Sequence, residues 1–106
     1  MKIQQQSDAL RIGEIKELGA ASAQLFKDEV RAAMPDPLHA IEVDLSQTAF
    51  VDSCGLGALI AVYKTASGRN GGVSFRLVNP TPPVQQILEL TRMHRIFEIV
   101  KCETHA

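Results

Sequence analysis

The sequence has no tryptophan, one tyrosine and only two cysteines among its 106 residues. So few aromatic rings predict a core of aliphatic side chains packed between helices and a sheet. Cys54 and Cys102 form no CxxC pair, and His39, His94 and His105 show no metal-ligand spacing, so neither a metal site nor a cofactor is expected. Two such cysteines in a cytosolic chain read as reduced thiols. Charge of one sign is lacking too: eleven Lys and Arg face twelve Asp and Glu, for a net charge of -1. Without a basic stripe to neutralise phosphates, nucleic acid is excluded as a partner. The longest apolar run, Leu56 to Tyr63, is far short of the ~20 residues a membrane span needs. The opening Met1-Lys2-Ile3-Gln4-Gln5-Gln6 lacks the apolar stretch of a secretion signal. Together these absences predict a cytoplasmic chain with no membrane partner.

What is present is an ordinary globular composition, 45% hydrophobic and 22% charged, enough to fill one core. At this length a single domain over residues 1–106 is expected. Leu10, Ile12 and Ile15 lie near a strand-like alternation from Ala9 to Ile15, interrupted by Gly13, and a weaker strand is marked at Ile3 to Gln6. From Ala20 to Met34, Phe26, Val30, Ala33 and Met34 recur at helical spacing with Lys27, Asp28 and Arg31 off the stripe, and Pro35 and Pro37 end the helix. Ile41, Val43 and Leu45 alternate with Glu42, Asp44 and Ser46 as a strand; a loop through Thr48 then leads by Ala49-Phe50-Val51 into a turn. A second helix is expected over Ser53 to Ser67, closed by Gly68, Asn70, Gly71 and Gly72. Val73, Phe75 and Leu77 mark another strand. Thr81-Pro82 starts a third helix with Val84, Ile87, Leu88 and Thr91 on one face, and Ile96 to Val100 returns as a short last strand. The sum is an α/β fold: a mixed sheet of four to five strands with three to four helices packed mainly on one face.

The chemistry concentrates in Asp52-Ser53-Cys54-Gly55-Leu56-Gly57, where a strand-like stretch turns into a helix. Asp52 or Ser53 can cap that helix, accepting bonds from its free N–H groups. Gly55 and Gly57 would each cost roughly 0.8–1 kcal/mol in a helix interior relative to Ala. They either ease a tight crossing beneath another element or leave the first turn open to a partner. The following Leu56, Ala58, Leu59, Ile60, Ala61 and Val62 are apolar on most sides of the helix. A domain this small has difficulty burying such a helix fully, which favours a docking surface.

The runs Ile41-Glu42-Val43-Asp44-Leu45 and Phe50-Val51-Asp52-Ser53-Cys54-Gly55-Leu56-Gly57-Ala58-Leu59 resemble the central signature of STAS domains. They are closest to the bacterial anti-sigma factor antagonists, whose turn typically reads Asp-Ser-Ser/Thr-Gly-Leu-Gly. The resemblance continues through Gly71-Gly72 and from Pro80 to Phe97, covering roughly residues 9 to 100. It implies that Ser53, directly after the turn aspartate, is the phosphorylation site. It also implies two partners: an anti-sigma factor serine kinase of the histidine-kinase-like ATPase fold, and a serine phosphatase. The unphosphorylated chain would bind the kinase and free a sigma factor; the phosphorylated chain would let go. The chain itself would be a regulatory binding protein, not an enzyme. On this reading the partner-binding residues are Asp52, Ser53, Cys54, Gly55, Leu56, Gly57, Lys16 and Asp44. Two of these depart from the family pattern: Cys54 stands where Ser or Thr is commoner, and Lys16 replaces an acid in the Gly13-Glu14-Ile15-Lys16 segment.

A phosphate adds about −1.5 to −2 charges at neutral pH. The helix N-terminus welcomes an anion, while Asp52 and, from the neighbouring strand, Asp44 repel it, so the effect is expected at the interface and not on the fold. Two rival readings have different requirements. A hydrolase with Ser53 or Cys54 as nucleophile needs a base and an orienting acid, for which His94 and Asp44 are the nominees, but the turn lacks the Gly-x-Ser-x-Gly form. A STAS accessory subunit of a lipid or anion transporter keeps the fold and changes the task; relatives of that kind often lack the serine after the aspartate. Arg92 and Arg95 beside His94, and Lys64 and Arg69 near the second helix end, read as solvated cations at helix termini.

Overall fold

Ile41 and Val43 are fully buried while Glu42 and Asp44 on the opposite side of the same strand are not, and the fold is organised around that alternation. The computed structural model describes residues 1–6, 8–34, 38–68 and 73–101, the side chains of Gln6 and His94 excepted. Among these, five strands form one sheet in the order β1 (Lys2–Gln6), β2 (Ala9–Gly13), β3 (Ala40–Asp44), β4 (Ser74–Val78) and β5 (Glu98–Val100). β1 is antiparallel to β2; the other three pairs are parallel. Each parallel step is made through a helix: α1 (Ala23–Ala33), α2 (Ser53–Ser67), and α3 (Pro82–Leu90) followed by a 3-10 turn at Met93–Arg95. Right-handed crossovers that advance in one direction leave their helices on one face. The mixed α/β sheet with its helices on one side is the expected architecture. Pro35, Pro37, Asn70, Gly71 and Gly72, expected to end helices and turn the chain, lie outside the described residues, as do Arg69, Cys102 and His105.

The element ends depart from the sequence expectation for local reasons. β2 stops at Gly13 and not at Ile15, because Glu14 takes a left-handed φ of 55° that breaks the strand. α1 starts at Ala23, three residues later than expected, because residues 19–22 are held as a turn in which the Ser22 and Ala23 amides donate to the Gly19 carbonyl. β5 shrinks to Glu98–Val100 because Ile96 and Phe97 donate their amides to the Met93 carbonyl of the 3-10 turn. Thr81 precedes α3 as expected, yet its hydroxyl does not cap the helix; it donates to the Thr48 carbonyl at 2.6 Å.

α2 is the central helix. Gly55, Leu56, Ala58, Leu59, Val62 and Ala66 are buried, Leu59 and Val62 completely. Complete burial of a side chain of this size is worth roughly 1.5–3 kcal/mol. α1 packs along α2. Further along α2, Tyr63 meets Phe75 and Phe97 edge-on, with ring centroids 5.7 and 5.6 Å apart. The expectation that so apolar a helix must leave a broad apolar face for a partner is therefore corrected: α1, the sheet and the aromatic cluster cover most of it. What α2 presents outward is polar or small: Ser53, Cys54, Gly57, Lys64 and Ser67 are its exposed residues.

Candidate functional site

Two loops run side by side at the carboxyl ends of β2 and β3. The Ala49 amide donates to the Lys16 carbonyl (2.8 Å), the Leu18 amide to the Phe50 carbonyl (3.1 Å), and the Asp52 amide to the Leu18 carbonyl (3.2 Å). This short parallel ladder, centred on Leu18 and Val51, fixes the backbone from which α2 departs. Beneath it Thr48, completely buried, donates its hydroxyl to the Ile15 carbonyl at 2.7 Å and so ties the same two loops from inside.

Asp52 is the N-cap of α2, in extended conformation, and Ser53 is the first helical residue. One Asp52 oxygen accepts the Gly55 amide at 3.0 Å; the other accepts the Ala20 amide at 3.2 Å. A single carboxylate thus caps α2 and pins the turn that leads into α1. The Gly55 amide holds its pKa below the ordinary value of 3.8, with the Ala20 amide acting in the same direction against partial desolvation. Ser22 closes that turn by accepting the Gly19 amide and donating to the Glu17 carbonyl, both at 3.2 Å.

With Asp52 serving as the cap, Ser53 is left without that duty. Its side chain is exposed on the first turn, and no hydrogen bond among the described residues engages its hydroxyl. Cys54 beside it is an exposed free thiol. Phe50, 44% exposed, lies three residues before Ser53, and Gly57 lies one turn after it with open space where a side chain would be. Along the chain the hydroxyl is thus flanked by the Asp52 carboxylate, an exposed thiol, a half-exposed ring and an open glycine.

The two turn glycines divide between the two readings of the sequence. Gly57 is open. Gly55 is buried, and a Cβ there would overlap the Leu18 carbonyl and stand 2.9 Å from Val51 Cγ1. It is a packing glycine and presents no face to a partner; Leu56, 6% exposed, likewise belongs to the core. Lys16 is exposed on the loop paired with Ala49, bordering an apolar groove of about 250 Å³ lined by Met1, Ile15, Leu18, Leu25 and Phe26. Asp44 is not brought to the turn. It follows Glu42 onto the opposite face of the sheet, where it accepts the Ser46 amide at 2.9 Å and borders a polar groove with Lys2, Arg11 and Gln47. Repulsion of a Ser53 phosphate therefore rests on Asp52, and Asp44 is not positioned as the orienting acid of a hydrolase. Sequence reasoning overlooked Gly19, Ala20, Ser22 and the hydroxyl of Thr48. The only signal for Gly19 was the run of small residues Gly19-Ala20-Ala21-Ser22 ahead of a helix. A Cβ at Gly19 would stand 2.7 Å from the Asp52 carboxylate.

A five-stranded sheet backed by three helices, with an aspartate-capped serine turn at the start of the second, describes a small α/β domain. The STAS domain profile matches residues 1–106, and the chain belongs to that family. It is 34% identical over 85 residues to a Thermotoga maritima protein described as a candidate anti-sigma factor antagonist, covering 79% of this chain and 74% of that one. A crystal structure of a T. maritima protein of the same description superposes with a TM-score of 0.77 at 28% identity, over 95% of this chain and 86% of the other. The unphosphorylated form of the anti-sigma factor antagonist SpoIIAA shares the fold at a TM-score of 0.77 and 15% identity, over 96% of this chain and 87% of that one. Among the described residues no helix is long and apolar enough to cross a membrane.

Proposed function

We propose that the chain is an anti-sigma factor antagonist that works by partner switching. In the unphosphorylated state the first turn of α2 docks on an anti-sigma factor serine kinase of the histidine-kinase-like ATPase fold and withholds it from its sigma factor. The kinase phosphorylates Ser53, the complex separates, and a serine phosphatase restores the binding form. The observation that carries this reading is the division of labour in the turn: Asp52 caps the helix, so Ser53 offers an exposed hydroxyl at the helix N-terminus that no hydrogen bond among the described residues engages.

The physics of the switch follows from the same geometry. A phosphate on Ser53 meets the positive end of the α2 dipole, worth about 0.3–1 kcal/mol, and the opposing charge of the adjacent Asp52. These partly cancel within the folded chain. At an interface they do not, because a dianion pressed into a contact beside Phe50 and Gly57 loses water without gaining a partner. Kinase recovered by pull-down on the chain, incubated with it and ATP, should label Ser53, as read by mass spectrometry. Labelling at another residue overturns the proposal. The transporter-subunit reading draws no support from a specific feature of the site.

A further inference from the structure

The face of the sheet opposite the helices carries one row of residues in direct cross-strand register: Gln4, Arg11, Glu42, Arg76 and Glu98, one from each strand in turn. The last four alternate in sign. Arg11 and Glu98 are exposed and Glu42 and Arg76 half-buried, with 55%, 59%, 36% and 43% of their side-chain surfaces in solvent. Within the sheet Arg76 pairs with Glu98 at 2.5 Å, whereas Arg11 stands 3.9 Å from Glu42. The row on one side of it is small, Ala9, Ala40 and Ser74 in register, so on that side the charged row stands above its neighbours. At about 4.8 Å per strand the four charges span roughly 14 Å.

A row reading plus, minus, plus, minus becomes its own complement when reversed. We infer that this face is a docking surface for a second copy of the chain, packed face to face about a two-fold axis parallel to the strands between β3 and β4. That operator places Arg11 against Glu98 of the second copy and Glu42 against its Arg76, four opposite-charge contacts in one isologous interface. A two-fold along the row would set like charges together, so the charge pattern selects one arrangement. Ala40 then faces Ser74 of the second copy, which lets the sheets approach. The helices lie outward, so the dimer presents two Ser53 turns; the inference does not depend on what those turns bind.

The test is the association state of the full chain by sedimentation equilibrium over a concentration series, with circular dichroism as the check of folding. The native chain should dimerise, and dimerisation should weaken as ionic strength rises from about 0.01 M to about 1 M. Arg11→Glu combined with Glu42→Arg preserves the net charge and an opposite-charge pair between β2 and β3, but sets residue 42 like against Arg76 between β3 and β4. The exchange also sets like against like across the two-fold, so circular dichroism must show the variant folded before its association is compared. It should weaken the dimer by about a hundredfold or more. Adding Arg76→Glu and Glu98→Arg restores complementarity and should restore the dimer. A native chain that stays monomeric throughout, a dimer indifferent to the double exchange, or a fourfold exchange that remains monomeric would each overturn the inference.

Discussion

Gly55 lies with its α-carbon directly against the Leu18 carbonyl, whose oxygen accepts the Asp52 amide three residues earlier. The start of α2 is thus set into the loop that follows β2, and the missing side chain is what permits it. The two glycines of the turn should respond to alanine with opposite signs. Gly55→Ala must displace backbone and should cost about 1–3 kcal/mol. Gly57→Ala enters open space and should gain up to about 1 kcal/mol of helix propensity. Urea unfolding of both variants checks this pair.

Asp52 is the second point of attachment, and its contribution depends on ionisation. The folded chain holds its pKa below the ordinary 3.8, so the carboxylate stabilises the fold at any pH above that value. The contribution fades as pH falls from about 3.8 through the depressed folded value. Asp52→Asn should be less stable than the native chain at neutral pH. The difference between the two melting temperatures should narrow below that window.

Thr48 is the inner tie. Thr48→Val keeps the shape and strands the Ile15 carbonyl without its donor, at a cost of about 1–3 kcal/mol. Thermal melts should show the loss, about 4–8 °C for each kcal/mol in a domain of this size. The far-UV spectrum should be unchanged.

Phosphorylation of Ser53 should leave the fold in place. Far-UV circular dichroism of the phosphorylated chain should match that of the native chain, with unfolding free energies within about 1 kcal/mol. A marked loss of helix would move the switch from the interface into the fold.

Much of this was legible in the residues. The alternations at Ile41–Val43 and Phe75–Leu77 and the apolar spacing of Phe26 and Val30 were enough to place strands and helices, because burial on one side imposes those periods. The start of α2 was legible from an aspartate followed by a helix-forming run. What stayed hidden is what long-range contact decides. Nothing local distinguishes Gly55 from Gly57; only the approach of Leu18, 37 residues earlier, does. Asp44 was expected to reach the turn from the end of the neighbouring strand, although strand alternation turns it to the other face. The bridge from Asp52 to Ala20 has no sequence signature, since it is made to a backbone amide.

The most direct test of the central claim is calorimetric titration of the recovered kinase with native chain and with chain phosphorylated at Ser53. Native chain should bind, and phosphorylated chain should bind with an affinity lower by on the order of a hundredfold. Equal affinities of the two forms would contradict the claim.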